Sequence, residues 1–173
     1  MNQQQRIIDA VATYRRDRSE RAWVNLGCGK FPLDGYINVD AHEPSDVKAD
    51  VWSLAFRDCG VVQMDHFLEH FSWRETVPLL ELVRGWLYAG GMVEVEVPDM
   101  EEIMRNGSDF QDWLRYVYGS QQHDGEYHKA GFTINSLFDA LEDAGYHEIK
   151  VRKFVSGFKT RKGMPCLHGT GRA

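Results

Sequence analysis

The stretch AWVNLGCGK, residues 22–30, is a short apolar run that ends in two glycines around a cysteine. Such a run is typical of a buried strand that finishes in a loop. The stretch GYINVD, residues 35–40, repeats the pattern and ends at Asp40. These two stretches predict neighbouring strands of a buried sheet.

Strand and helix patterns alternate along the rest of the chain. Strands are predicted at VKADV, GVVQMD, MVEVEVPD and HEIKVRKFV, which are residues 47–51, 60–65, 92–99 and 147–155. Helices are predicted over residues 4–17, from a capping box at Ser72 to Gly90, over 109–118, and from Thr133 to Gly145. Together they predict an α/β fold, Rossmann-like and doubly wound, with a mostly parallel sheet and helices on both faces.

Composition excludes several classes of protein. No apolar run is long enough to span a bilayer and the N-terminus lacks a signal-peptide core, so we expect a cytoplasmic protein without membrane contact. Three distant cysteines predict reduced thiols. The net charge of -6 argues against nucleic-acid binding. After Glu148 every charged residue is a lysine or an arginine. We interpret this basic segment as a solvated strand edge and a flexible tail.

Three consecutive strand ends carry groups that suit a nucleoside. Backbone N–H groups at Gly27 and Gly29 are open to a ligand, because glycine has no Cβ. Asp40 can accept both hydroxyl protons of a ribose, and Asp50 can accept from an adenine amino group. These strand ends predict one adenosine-shaped site.

The ordered motifs resemble the class I S-adenosylmethionine-dependent methyltransferases, in particular a small branch with LNLGCG, INVD, LEH and VPD motifs. Here the motifs read VNLGCGK, YINVD, KADVWSL, HFLEHF and AGGMVEVEVPD, and they cover residues 23–99 in order. The resemblance implies S-adenosylmethionine as cofactor, with the glycine loop at its methionine part, Asp40 at the ribose, Asp50 at the adenine and the loop 65–67 beside the methyl group. The implied cofactor site contains Asn25, Gly27, Cys28, Gly29, Asp40, Asp50, Asp65 and His66.

On this interpretation residues 1–173 form a single domain. We expect an N-terminal helix within 1–20, a cofactor-binding half over 22–99, a substrate-side segment with the last strands over 100–155, and a basic tail over 156–173.

The sequence departs from the branch in three places. Asn25 replaces an acid that many relatives place in the first strand. Only residues 30–36 separate the first two strands, which predicts that the first helix is reduced to a turn. Glu94 and Glu96 are unusual in a strand buried on both faces, so one face is thinly covered or pairs with another subunit in a homo-oligomer.

The resemblance implies methyl transfer to an acceptor from the segment 100–131, whose aromatic and polar residues suit a small polar or sugar-like molecule. His128, or else His123, is the candidate base, because histidine holds a lone pair near neutral pH. A cofactor-binding partner subunit without activity is the alternative. A nicotinamide-dependent enzyme is disfavoured, because the third glycine of that fingerprint is missing.

The pentapeptide His66-Phe67-Leu68-Glu69-His70 also has the HxxEH spacing of inverted zincin metalloproteases. Two histidines four apart bind zinc when both lie on one helix. Because these histidines straddle a predicted strand end, we expect no metal, and a zinc protease remains only a remote alternative.

Overall fold

One sheet of seven strands organises the computed structural model, which describes residues 21–106, 109–156 and 163–173. The strands are β1 (Trp23–Leu26), β2 (Ile37–Asp40), β3 (Val47–Lys48), β4 (Cys59–Asp65), β5 (Leu87–Pro98), β6 (His147–Val155) and β7 (Pro165–Arg172). Their order is β3-β2-β1-β4-β5-β7-β6, and only β7 is antiparallel to its neighbours. The mostly parallel α/β sheet is confirmed.

Four α-helices lie in the described part of the chain. They are α1 (Thr76–Arg84), α2 (Met100–Asn106), α3 (Phe110–Tyr118) and α4 (Ile134–Asp143). Helix α1 contacts β5, α4 contacts β6 and β7, and the two helices contact each other, so they pack on the same face of the sheet. None of the described helices is long and apolar enough to cross a membrane. The helix predicted over 4–17 lies outside the described residues.

The core lies between the sheet and these two helices. Leu26, Met64 and Val95 stand side by side on β1, β4 and β5, and each is at most 1% exposed. Leu79, Leu80 and Val83 of α1 and Leu137 and Leu141 of α4 belong to the same apolar cluster. Burial of each such side chain contributes about 1.5 to 3 kcal/mol to folding. This packing fixes the strand ends.

The predicted helix from Ser72 to Gly90 was wrong at both ends. Ser72 and Glu75 form a turn, in which the Ser72 N–H donates to Oε2 of Glu75 over 2.9 Å, and α1 begins only at Thr76. At the other end Gly85 caps the helix, and Leu87 pairs with Cys59 of β4. The glycines at 90 and 91 therefore lie within β5.

The prediction of a flexible tail at the C-terminal end was also wrong for residues 163–173, which the structure describes. Residues Pro165–Arg172 form β7, which is inserted between β5 and β6, and Cys166 and Leu167 are fully buried. Glycines occupy positions of this strand where an alternating pattern would have apolar side chains. They are needed there because a Cβ at Gly171 would lie 2.9 Å from Tyr146. These glycines let α4 and the residues after it approach the sheet.

Other local predictions are confirmed. The side chain of Asp109 caps α3 by accepting from the Gln111 N–H, and Thr133 forms a capping box with Ser136 at the start of α4. Residues 30–36 contain no helix, as the short crossover predicts. The strand predicted over 47–51 shrinks to two residues, and α2 was not predicted.

Candidate functional site

A cavity of about 930 Å³ opens at the carboxyl ends of β1, β2 and β4. The order of the sheet reverses between β1 and β4, and crevices at such points are the usual ligand sites of open α/β sheets. All the residues that the sequence implies for the cofactor line it: Asn25, Gly27, Cys28, Gly29, Asp40, Asp50, Asp65 and His66. The structure therefore brings this predicted set together.

Residues 27–29, the glycine loop, adopt a conformation that suits glycine. Gly27 has a φ of 65° and Gly29 a φ of 53°, both in the left-handed region. A Cβ at Gly27 would lie 2.3 Å from the ring of Phe67, whereas a Cβ at Gly29 would meet no atom within 4 Å. The loop after β4 thus packs on one glycine, and the other faces open space.

The carboxylate of Asp40 holds this loop in place. Its Oδ2 accepts from the Gly29 N–H over 2.9 Å, and its Oδ1 accepts from the N–H groups of His42 and Glu43 over 2.7 and 2.8 Å. A carboxylate offers about four acceptor positions, so about one remains, on Oδ2. Asp40 has less free capacity for a ribose than the sequence suggested, and the prediction that the Gly29 N–H is open to a ligand was wrong, because Asp40 accepts from it.

Asp50 and two aromatic side chains form another wall. Asp50 caps the short 3-10 turn Val51–Ser53, and its Oδ1 accepts from the Trp52 N–H over 2.9 Å. Trp52 is 44% exposed and Phe31 is 48% exposed, and both line the cavity. Sequence reasoning missed these rings, although large exposed aromatics beside a glycine loop are a signal for a planar ligand.

Asn25 and Cys28 line the cavity but have structural partners. The side chain of Asn25, which is 3% exposed, donates to Oδ1 of Asn38 over 3.0 Å and joins β1 to β2. Burial, and then the charge of Asp40, raises the pKa of the Cys28 thiol to about 11. Cys28 is therefore not a nucleophile near neutral pH.

His66 lies in a buried group that we call the histidine cluster: His66, Glu69, Glu96 and Cys166. Nδ1 of His66 lies 2.9 Å from Oε1 of Glu69, Nε2 lies 3.0 Å from Oε1 of Glu96, and Sγ of Cys166 is 3.7 Å from Nε2. Burial alone would lower the pKa of His66, but its bonds to Cys166 and the two glutamates raise it well above the usual value. Likewise burial opposes ionisation of Glu69, but His66 lowers its pKa to about 2.

The cluster joins elements that are distant in sequence. His66 follows β4, Glu69 lies in the 3-10 turn Leu68–His70, and Glu96 and Cys166 belong to β5 and β7. Because both nitrogens of His66 contact carboxylates and His66 has a φ of 50°, it is not on a helix with His70. The two histidines thus lack the helical arrangement that the inverted zincin spacing requires.

The two candidate bases occupy different positions. His123 lines the cavity, and its Nδ1 accepts from the Gly125 N–H over 3.1 Å. His128 does not line the cavity, and its Nδ1 donates to the carbonyl of Tyr116 over 2.9 Å. Its burial lowers its pKa. Its backbone N–H donates to the carbonyl of Tyr118 over 3.1 Å, so His128 is bonded to the end of α3, and its role as the base stays a prediction.

The structure is similar to solved methyltransferases over nearly its whole length. A SAM-dependent methyltransferase from Archaeoglobus fulgidus has a TM-score of 0.62 and 17% identity, over 97% of this chain and 94% of that one. One from Methanosarcina mazei has a TM-score of 0.63 and 16% identity, over 90% and 93%. The chain has the fold of SAM-dependent methyltransferases.

A third similar structure carries a ligand. It is the Burkholderia thailandensis 1,6-didemethyltoxoflavin-N1-methyltransferase with bound 1,6-didemethyltoxoflavin and S-adenosylhomocysteine, with a TM-score of 0.59 and 18% identity, over 96% of this chain and 77% of that one. The sequence matches no family model and no curated protein. The three structural similarities confirm the fold that the sequence motifs implied.

Proposed function

We propose that the protein binds S-adenosylmethionine in this cavity and transfers its methyl group to a small polar acceptor. The observation that carries the proposal is the convergence of three strand ends, those of β1, β2 and β4, on one cavity of about 930 Å³. Its size is that of typical small-molecule sites. One of the structures with the same fold holds S-adenosylhomocysteine.

The residues present fit this cofactor. The open space in front of Gly29 admits a ligand against the backbone of the glycine loop. Asp40 retains an acceptor position for a ribose hydroxyl, and Asp50 and Trp52 supply a carboxylate and a flat ring for the adenine. Acids outnumber lysines in the lining, which favours a cationic ligand: Asp40, Glu43, Asp50, Asp65, Glu75, Asp124 and Glu126 against Lys30 and Lys129.

When bound, the cofactor supplies a methyl group activated by a sulfonium. The chain's own residues would align the acceptor and exclude water. Phe67 packs on Gly27 and closes one side, while His123, Asp124 and Glu126 line the other. His123, at the cavity wall, replaces His128 as the first candidate to take a proton from the acceptor.

A calorimetric titration with S-adenosylhomocysteine tests the cofactor site. We expect one molecule to bind per chain, and Asp40→Ala to weaken binding by at least about tenfold, because the carboxylate both holds the glycine loop and faces the ligand. Asp34→Ala is the matched control, since Asp34 is exposed and lies outside the cavity lining. Absence of binding by the wild type, or equal affinities of the two variants, would contradict the proposal.

An inactive cofactor-binding subunit is the second candidate. The absence of His128 from the cavity lining favours this candidate, because only one of the two predicted proton acceptors, His123, lines the cavity. Incubation with S-adenosylmethionine and a panel of hydroxyl, amine and thiol acceptors separates the two. Acceptor-dependent release of S-adenosylhomocysteine supports the enzyme, and binding without release across the panel supports the subunit.

A further inference from the structure

We propose that Glu69, His70 and His128, which we call the metal triad, bind one divalent transition-metal ion at the edge of the cavity. One ligand atom of each side chain lies within 4.8 Å of those of the other two. Two imidazoles and a carboxylate form a common set of ligands for ions such as Fe²⁺, Co²⁺ and Zn²⁺, whereas Mg²⁺ and Ca²⁺ prefer oxygen alone.

In both histidines Nδ1 contacts a backbone carbonyl, which leaves Nε2 for a metal. Nδ1 of His70 lies 3.3 Å from the carbonyl oxygen of Tyr127, and Nδ1 of His128 lies 2.9 Å from that of Tyr116. Because a carbonyl can only accept, each Nδ1 carries the proton and each Nε2 has a free lone pair. A backbone carbonyl on the second ring nitrogen is the usual support of a metal-binding histidine.

The rings of His70 and His128 also lie close together. Their centroids are 5.0 Å apart, and their planes are inclined at 71°. Nε2 of His128 lies 4.0 Å from Oε1 of Glu69, which is too long for a hydrogen bond. The Glu69 carboxylate thus faces His128 across a gap that an ion with bonds of about 2.0 to 2.2 Å can bridge once the two side chains move closer.

Glu69 supplies an independent indication that a cation binds here. Its side chain is 1% exposed, and within the described part of the chain its Oε2 has no hydrogen-bond partner. A buried carboxylate oxygen without a partner costs about 1 to 3 kcal/mol or more, and such atoms call for an explanation. A cation bound at Oε2 removes this cost.

The histidine cluster then acts as the support of the metal triad. Oε1 of Glu69 contacts His66, which is itself fixed by Glu96 on β5. This arrangement orients the carboxylate and leaves Oε2 available. His70 lines the cavity, so a metal on its imidazole lies beside the space for a ligand, and three protein ligands leave coordination positions open.

Metal binding itself is tested without cofactor. The purified, chelator-treated protein is titrated with Co²⁺, followed by its visible absorption, and then with Zn²⁺ by calorimetry. We expect one ion per chain, with Zn²⁺ binding more tightly than Co²⁺. His70→Ala should weaken Co²⁺ binding by at least about tenfold. His70 is chosen because its side chain is only partly buried, so the variant is expected to fold.

His123→Ala is the matched control, since His123 also lines the cavity but is not part of the triad. Retained Co²⁺ affinity in this variant together with loss in His70→Ala and His128→Ala supports the site. No binding by the wild type, or equal affinities in all three variants, overturns it. Circular dichroism of each variant checks that the fold is kept. The outcome is distinct from that of the S-adenosylhomocysteine titration, so either proposal can fail alone.

Discussion

The glycine loop lines the cavity and the histidine cluster reaches it through His66, but the two are built in different ways. The loop depends on backbone: Gly27 and Gly29 have positive φ values, and the Gly29 N–H donates to Asp40. The cluster depends on side chains, with His66 held between Glu69 and Glu96. The loop has open space in front of Gly29, whereas the cluster is almost closed to solvent.

The loop and the cluster therefore have different roles, one in ligand binding and the other in stability. The glycine loop offers a ligand open space against its backbone, and it stays in place because one carboxylate and one aromatic ring hold it. The histidine cluster ties the ends of β4, β5 and β7 together and thereby fixes the position of Phe67 beside His66. Substitutions in the cluster should mainly change stability, and substitutions in the loop should mainly change binding.

The largest effect on stability is expected for Glu96→Ala. Removal of one partner from a buried ion pair costs about 3 to 5 kcal/mol, and Glu96 is one of the two carboxylates that contact His66. Urea unfolding followed by circular dichroism measures the loss. Glu94→Ala is the matched control on the same strand, because Glu94 is less buried, and it should cost less than about 1 kcal/mol. Similar losses in both variants would contradict a special role for the cluster.

Gly27→Ala should have an intermediate effect on stability and a large one on binding. Its Cβ would meet the ring of Phe67, and its φ of 65° is strained for alanine. The left-handed strain and the collision together cost about 2 to 4 kcal/mol. Gly29→Ala has the strain without the collision, so it should cost about 1 kcal/mol.

Unfolding curves of the two glycine variants give this comparison, and titration with S-adenosylhomocysteine gives their affinities. If Gly27→Ala is no less stable than Gly29→Ala, the packing of Phe67 on the loop is not the constraint that the structure indicates.

The thiol of Cys28, which lies within the glycine loop, allows a test without any substitution. Its pKa is raised to about 11, mainly by burial, so at pH 8 only about one molecule in a thousand carries the thiolate. Alkylation by iodoacetamide, mapped by peptide mass spectrometry, should therefore be slow at pH 8 and increase up to about pH 11. The unfolded chain releases this proton at lower pH, so stability should fall as pH rises from about 9 to 11. A midpoint of alkylation near pH 8.5 would contradict the assignment.

The sequence allowed prediction of those parts of the fold that are local. The strand β1 with its glycine loop, the strand β2 that ends at Asp40, and the capped helices α3 and α4 each depend on residues within one short segment. The strand β7 was missed, because its burial depends on neighbours far away in the sequence and its glycines read as a flexible tail. Long-range pairing overrides local pattern in such cases.

The distinction between local patterns and long-range contacts also explains which site residues could be predicted from the sequence. Asp40 and the glycine loop were predicted because the carboxyl ends of parallel strands meet at one edge. The contact between His66 and Glu96 spans 30 residues, and that between His66 and Cys166 spans 100, so no spacing rule indicates them. Glu96 was noticed only as an unexpected acid in a buried strand.

The position of β7 has a consequence for how the molecule is assembled. Strand β6 is joined to the sheet only through β7 among the described strands, and β7 also delivers Cys166 to the neighbourhood of His66. During synthesis β6 emerges before it has a place in the sheet. The edge of the sheet and the buried contact of His66 with Cys166 are thus completed together, by the strand that is translated last of the seven.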